Sequence, residues 1–98
     1  MATKIIMYTG NSCSKCMRAK AMLDDLPSHI RENVELVEIN VDENESERLM
    51  LTEVIKSNTL PTILIPKNSE SYWKNKEEFH IFRGFDENIG KIMEVLGL

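Results

Sequence analysis

The chain carries two cysteines, and they stand three residues apart in Cys13-Ser14-Lys15-Cys16. An alternating apolar run over residues 4–8 precedes them, then the turn residues Thr9, Gly10, Asn11 and Ser12, and an amphipathic pattern begins at Ser14. The pair therefore belongs at a strand-to-helix junction. Backbone N–H groups at a helix N-terminus carry positive partial charge, so a thiol placed there ionises more readily to the nucleophilic thiolate. Cys13, at the helix start, is the candidate nucleophile. Cys16 lies one turn on, on the same side of the helix and close enough to close a small disulfide ring with Cys13. In a reducing compartment a lone CxxC reads as catalytic or metal-binding rather than as a structural staple.

Composition narrows what surrounds this pair. Ninety-eight residues with 42% hydrophobic content suffice for one compact domain, residues 1–98, with one core. Lys+Arg 12 against Asp+Glu 16 leaves a formal charge of -4, and no basic cluster is long enough to track a phosphate backbone, so nucleic acid is not expected as a partner. The apolar run near the start is too short for a signal-peptide core or a bilayer span. A cytoplasmic protein without membrane contact is expected.

The elements that must position the cysteines read in the order β-α-β-α-β-β-α. A first helix over residues 14–26 buries Cys16, Ala19, Leu23 and Leu26 and stops at Pro27. Residues 34–41 read as a strand, and residues 45–56 as a helix capped by Asn44, with Leu51, Val54 and Ile55 facing the core. A third strand begins at Leu60-Pro61, where proline fits the first position, and runs to Ile65. Residues 66–78 form a long hairpin connection to a last strand over residues 79–83. The final helix takes Asp86 as N-cap, buries Ile89, Ile92, Met93 and Leu96, and ends at Gly97. Strands joined through a helix should run parallel and the last two antiparallel, giving a four-stranded mixed sheet with three flanking helices. Among the remaining residues, Tyr8 reads as a core tyrosine with its hydroxyl at the edge, Tyr72 and Trp73 as folded back on the sheet, and the six methionines as core filler. His29 lies about 20 Å from Cys13 along the first helix and His80 on the last strand, so neither is a convincing general base.

Four motifs in this order resemble the thioredoxin superfamily, and specifically its small glutaredoxin-like members. They are the CSKC at 13–16, Val41-Asp42-Glu43-Asn44, Thr59-Leu60-Pro61-Thr62, and Arg83-Gly84-Phe85-Asp86. The resemblance implies a thioredoxin-like fold and a thiol–disulfide oxidoreductase that reduces protein disulfides, with Cys13 and Cys16 catalytic. It also implies a cis Leu60-Pro61 bond facing the cysteines, with its backbone turned toward an extended substrate. Lys15, Thr59, Leu60, Pro61, Arg83, Gly84 and Asp86 are the implied substrate-binding residues. No bound cofactor or metal is implied; glutathione or thioredoxin reductase would supply electrons to a monomer. CxxC thiols of this class ionise at roughly 3.5–7.5, and Lys15 favours the Cys13 thiolate, while Arg18 and Lys20 read better as a solvated helix face.

Departures from the family pattern leave the subclass open. Ser12 stands where thioredoxins carry tryptophan, and Ser14-Lys15 replaces Gly-Pro or Pro-Tyr between the cysteines. Met7 and its strand neighbours offer no buried carboxylate. Arg83-Gly84 followed by Asp86-Glu87 is half of the glutathione-binding pattern, and Asp86 serves equally as a plain N-cap or as ligand for the glutathione amine. An alternative from another class is a soft-metal, copper-binding chaperone using both thiolates. That family's β-α-β-β-α-β order has no place for Thr59-Leu60-Pro61-Thr62.

Overall fold

A computed structural model describes residues 3–67 and 76–98. Strand β1 (Thr3–Thr9) leads into helix α1 (Ser14–Asp24), the short helix α2 (Ser28–Arg31) and strand β2 (Val34–Asn40). Helix α3 (Glu45–Leu49) continues as a π-helical segment, Met50–Ile55, before strand β3 (Thr62–Pro66). A 3-10 turn, Lys76–Glu78, opens strand β4 (Phe79–Arg83), and a second, Asp86–Asn88, precedes helix α4 (Ile89–Val95). The sheet has four strands, as the sequence predicts, and places them in the order β2-β1-β3-β4. No helix among the described residues is long and apolar enough to cross a membrane.

Alternation along the central strands makes two cores. Ile5 and Met7 of β1 with Ile63 and Ile65 of β3 meet Ala19, Leu23 and Leu26 from the α1 side and Ile92 of α4. Ile6 and Tyr8 with Leu64 face the other way, onto Leu51 and Ile55. This period-two division is what a strand covered on both faces requires.

Strand direction departs from expectation at one crossover. β1 and β2 are parallel and β3 and β4 antiparallel, as expected, but β3 pairs antiparallel with β1, so it also runs opposite to β2. Thr9 stands opposite Asn40, Tyr8 opposite Thr62, and Thr62 opposite Arg83. The segment after β2 therefore starts and finishes at one end of the sheet. Residues 10–13, 41–44, 59–61 and 84–88 all gather there, and this gathering builds the site.

Other departures have local causes. α1 stops at Asp24 with Asp25 as its C-cap, two residues short of the expected Leu26, and Pro27, at a φ of -52°, opens α2 instead. The π-helical segment widens the turn, which keeps Leu51 and Ile55 buried and leaves Val54 39% exposed rather than in the core. β3 begins at Thr62, after the proline, and β2 occupies a sheet edge. Asp86 lies in the 3-10 turn and Asn88 takes the N-cap position of α4, while Ile89 points outward. Gly97 ends the chain's last turn at a φ of 87°, with Leu98 N–H donating to Met93 O. Met7 is core filler as expected, whereas Met17 is 73% exposed beside the cysteine motif. The expectations for Tyr72 and Trp73 lie outside the described residues.

Candidate active site

Cys13 and Cys16 are joined in a disulfide with their Cα atoms 5.3 Å apart. Cys13 is the N-cap of α1: its backbone is extended and its Sγ accepts the Cys16 N–H at 3.1 Å. Sulfur thus occupies the place where serine or aspartate usually satisfies a free helix N–H. The first turn of α1 holds no acidic residue to oppose a negative charge on that sulfur. Cys13 is partly exposed, whereas Cys16 sits on the apolar stripe at 5% exposure. One sulfur can therefore meet a large substrate, and the other can meet only the first.

Two loops flank the pair. The one before Cys13 packs on the segment before Pro61, since a Cβ on Gly10 would lie 2.7 Å from Leu60 Cδ1. Leu60-Pro61 is cis, as the family pattern implies. Buried hydroxyls hold this segment in a small ring. Thr59 N–H donates to Ser57 Oγ at 3.3 Å, Ser57 Oγ meets Thr62 Oγ1 at 2.7 Å, and Thr62 Oγ1 donates to Thr59 O at 2.6 Å. Pro61 O accepts the Gly84 N–H at 3.0 Å, which docks the start of the last turn onto the same segment. Gly84 itself has a φ of 99°, and a Cβ there would strike the Glu87 carboxylate, so only glycine fits.

The charged residues named from sequence are distributed unevenly. Lys15 and Arg18 both reach Asp86, at 3.8 and 3.1 Å, tying the N-terminus of α1 to the turn before α4. Arg18 and Lys20 are solvated as expected but also paired, Lys20 with Glu38 at 3.0 Å. All these side chains are exposed, and such pairs contribute about 0–1 kcal/mol each. Arg83 points elsewhere: its Nη2 donates to Ile55 O at 2.6 Å and its Nε to Lys56 O at 3.2 Å, closing the end of the π-helical segment. Glu87 lies against Gly84.

Sequence reasoning missed the polar side chains that fix the first loop. Asp42 Oδ2 accepts the Asn11 N–H at 2.7 Å, and its other oxygen meets the Arg48 guanidinium. Asn40 donates from Nδ2 to Asn11 Oδ1 at 3.0 Å and accepts the Asp42 N–H at 2.9 Å. The Asn11 N–H first, and Arg48 second, hold the Asp42 carboxyl below the ordinary carboxylate range. The only available signal was the Val41-Asp42-Glu43-Asn44 motif, which gave the loop but not its partner. Tyr8 is fully buried rather than at an edge. Burial pushes its phenol up to about 12, with the Glu47 carboxylate it faces adding to the rise. His80 stacks on Phe82 with ring centroids 6.3 Å apart. No group of three or more metal-ligating side chains occurs among the described residues.

A redox-capable cysteine pair at the N-terminus of a helix, on this four-stranded sheet and with a cis Leu60-Pro61 bond, is the site of a thioredoxin-like thiol–disulfide oxidoreductase. The glutaredoxin family model matches residues 5–69, and the chain belongs to that family. Among solved structures it is similar to the thioredoxin-like protein BC3987, at 23% identity over 93% of this chain and 97% of that one, with a TM-score of 0.66. Chloroplastic thioredoxin z is 27% identical over 98% of this chain and 76% of its own, with a TM-score of 0.67. The germline-specific thioredoxin Deadhead of Drosophila melanogaster is 18% identical over 99% and 82%, at 0.62. The first and last of these bear on the fold alone. No curated protein matches the chain by sequence.

Proposed function

We propose that the protein reduces disulfides, with Cys13 attacking and Cys16 resolving, and that glutathione or thioredoxin reductase returns it to the dithiol form. The observation that carries this is the asymmetry of the pair: a partly exposed sulfur on the helix N-terminus and a buried one behind it. In the dithiol form, Cys13 thiolate attacks one sulfur of the substrate disulfide. A Cys13–substrate mixed disulfide forms, and the other substrate sulfur leaves as a thiolate that takes up a proton. Cys16 then gives up its proton and attacks the Cys13 sulfur, expelling the second substrate thiol. Two electrons have passed to the substrate, and the Cys13–Cys16 disulfide remains. Two glutathione thiols would reverse the last state, leaving oxidised glutathione.

Leu60 packs against the loop before Cys13, and with Thr59 and Pro61 it would supply the wall against which an extended substrate lies, its backbone pairing with that of Leu60. For glutathione, the family pattern offers Lys15, Gly84 and Asp86 as contacts. Its amine would have to share Asp86 with Arg18, and its carboxylates would find Arg83 already engaged by carbonyls.

The test is a turnover assay with glutathione and glutathione reductase in one cuvette and thioredoxin reductase in another. Sustained disulfide reduction only in the second would move the protein to the thioredoxin subclass. Cys13→Ser should abolish exchange, whereas Cys16→Ser should accumulate a mixed disulfide through Cys13 and keep activity on glutathione mixed disulfides. Iodoacetamide that labelled Cys16 first, below neutral pH, would reverse the roles.

A further inference from the structure

The loop ahead of Cys13 does not hold itself. Ser12 takes a φ of 56°, a region that non-glycine residues enter at some cost. The bonds that fix residues 10–12 come from the exit of β2: Asp42 Oδ2 on the Asn11 N–H at 2.7 Å and Asn40 Nδ2 on the Asn11 side chain at 3.0 Å. A Cβ on Gly10 would lie 2.8 Å from the same Asp42 oxygen, so the backbone rests directly on the carboxylate. Arg48 fixes that carboxylate from its far side. The next residue along is Cys13, whose backbone angles put Sγ 3.1 Å from the Cys16 N–H.

We propose that Asp42 is a positioning residue for thiol exchange: by fixing residues 10–12 it keeps the Cys13 sulfur on the N-terminus of α1, where the thiolate is stabilised. The inference rests on Cys13 being the attacking thiol. Its sign separates it from a simple charge effect. A carboxylate acting only through its charge disfavours a nearby thiolate, so removing it would make Cys13 more acidic. A carboxylate that positions the sulfur does the opposite: removing it frees the sulfur from the helix terminus and makes Cys13 less acidic.

The experiment follows the rate of iodoacetamide labelling of Cys13 from about pH 4 to about pH 9 in Cys16→Ser protein, which has one thiol. Asp42→Ala should raise the midpoint by about half a unit, the size of a helix-terminus contribution, and slow labelling about threefold below the midpoint. Asp42→Asn keeps a carbonyl for the Asn11 N–H and should recover most of the loss. A midpoint that stays or falls in Asp42→Ala, or an equal rise in both variants, overturns the inference and leaves Cys13 as nucleophile. If Cys13 in the Cys16→Ser parent titrates like a free thiol, near about 8.5, the reading of Cys13 falls and the inference with it.

Should Asp42→Ala fail to fold, amide NMR of the otherwise unaltered oxidised protein gives the answer. The charged groups facing the two ends of the arrangement are Arg48 at Asp42 and, at the helix start, Asp86 with its partners Lys15 and Arg18, so Asp86→Asn removes the second carboxyl. As acid then titrates Asp42, the amides of Asn11 and Cys16 should move with one midpoint. Asn11 moving without Cys16 overturns the inference.

Discussion

The two loops that meet at the cysteines are fixed by opposite means. Residues 10–12 are tied down by a charged carboxylate at the surface, with 32% of the Asp42 side chain exposed. Residues 57–62 close through neutral hydroxyls, with Ser57 and Thr62 both buried. The difference lies in what each arrangement responds to. An exposed ionic contact is weak, screened by salt and sensitive to acid. A buried neutral one is indifferent to both, yet leaves unpaired groups in the core when it is cut. The loop that carries the attacking sulfur is thus the adjustable one, and the proline-bearing wall opposite it is the fixed one.

The largest effect should come from the fixed side. Thr62→Val preserves shape and removes the hydroxyl that joins Ser57 Oγ to Thr59 O. Ser57 Oγ can still reach Thr59 O at 3.3 Å, so part of the ring survives. The expected loss is about 1–3 kcal/mol in urea unfolding, the same at low and high salt. The Cys13 titration should not move. A destabilisation that changed with salt, or a shifted thiol, would erase the contrast between the loops.

The contrast also explains what the sequence made legible. Periodicity reports which face a residue takes, and so the order of elements along the chain, Cys16 on the buried stripe and Gly97 at the last turn were readable. It is silent on where a long polar side chain ends. Arg83 and Asp86 are neighbours in one motif, but one spans to carbonyls 27 and 28 residues away and the other to a guanidinium 68 residues away. Asp42 and Asn11 are 31 residues apart, and nothing at either position marks the other. The same limit hid the direction of β3: a helix between strands suggests a parallel pair, and only the full pairing pattern shows that the segment after β2 returns to its own end. The π-helical widening at Met50–Ile55 left no sign in a pattern written for an α-helix.

A substitution where the loops touch should give an intermediate effect. Gly10→Ala places a Cβ within 2.7 Å of Leu60 Cδ1 and 2.8 Å of Asp42 Oδ2, so one side chain must move. Both atoms end flexible side chains, and the cost should be near the low end of overpacking, about 1 kcal/mol. If Asp42 yields, the Asn11 bond weakens and Cys13 becomes less acidic. If Leu60 yields instead, the thiol stays where it was and turnover of protein substrates falls while small disulfides are unaffected. No change in any of these would mean that the loops are not in contact in solution.

The smallest effect isolates the charge within the adjustable loop. Arg48 is the second cause of the low Asp42 carboxyl, after the Asn11 N–H. A carboxyl depressed by folding stabilises above its unfolded pKa and loses that contribution as pH falls through the folded value. Arg48→Ala should therefore move the Asp42 midpoint, followed at the Asn11 amide, part of the way up toward the ordinary value of about 3.9. The loop would then begin to loosen at higher pH, while near neutrality the Asn11 bond persists and Cys13 keeps its acidity. Molar salt on the unaltered protein should reproduce this shift, because screening removes the guanidinium's pull and spares the shorter-range bond. A Cys13 shift in Arg48→Ala as large as that in Asp42→Ala would mean that the ion pair, and not the backbone bond, carries the loop.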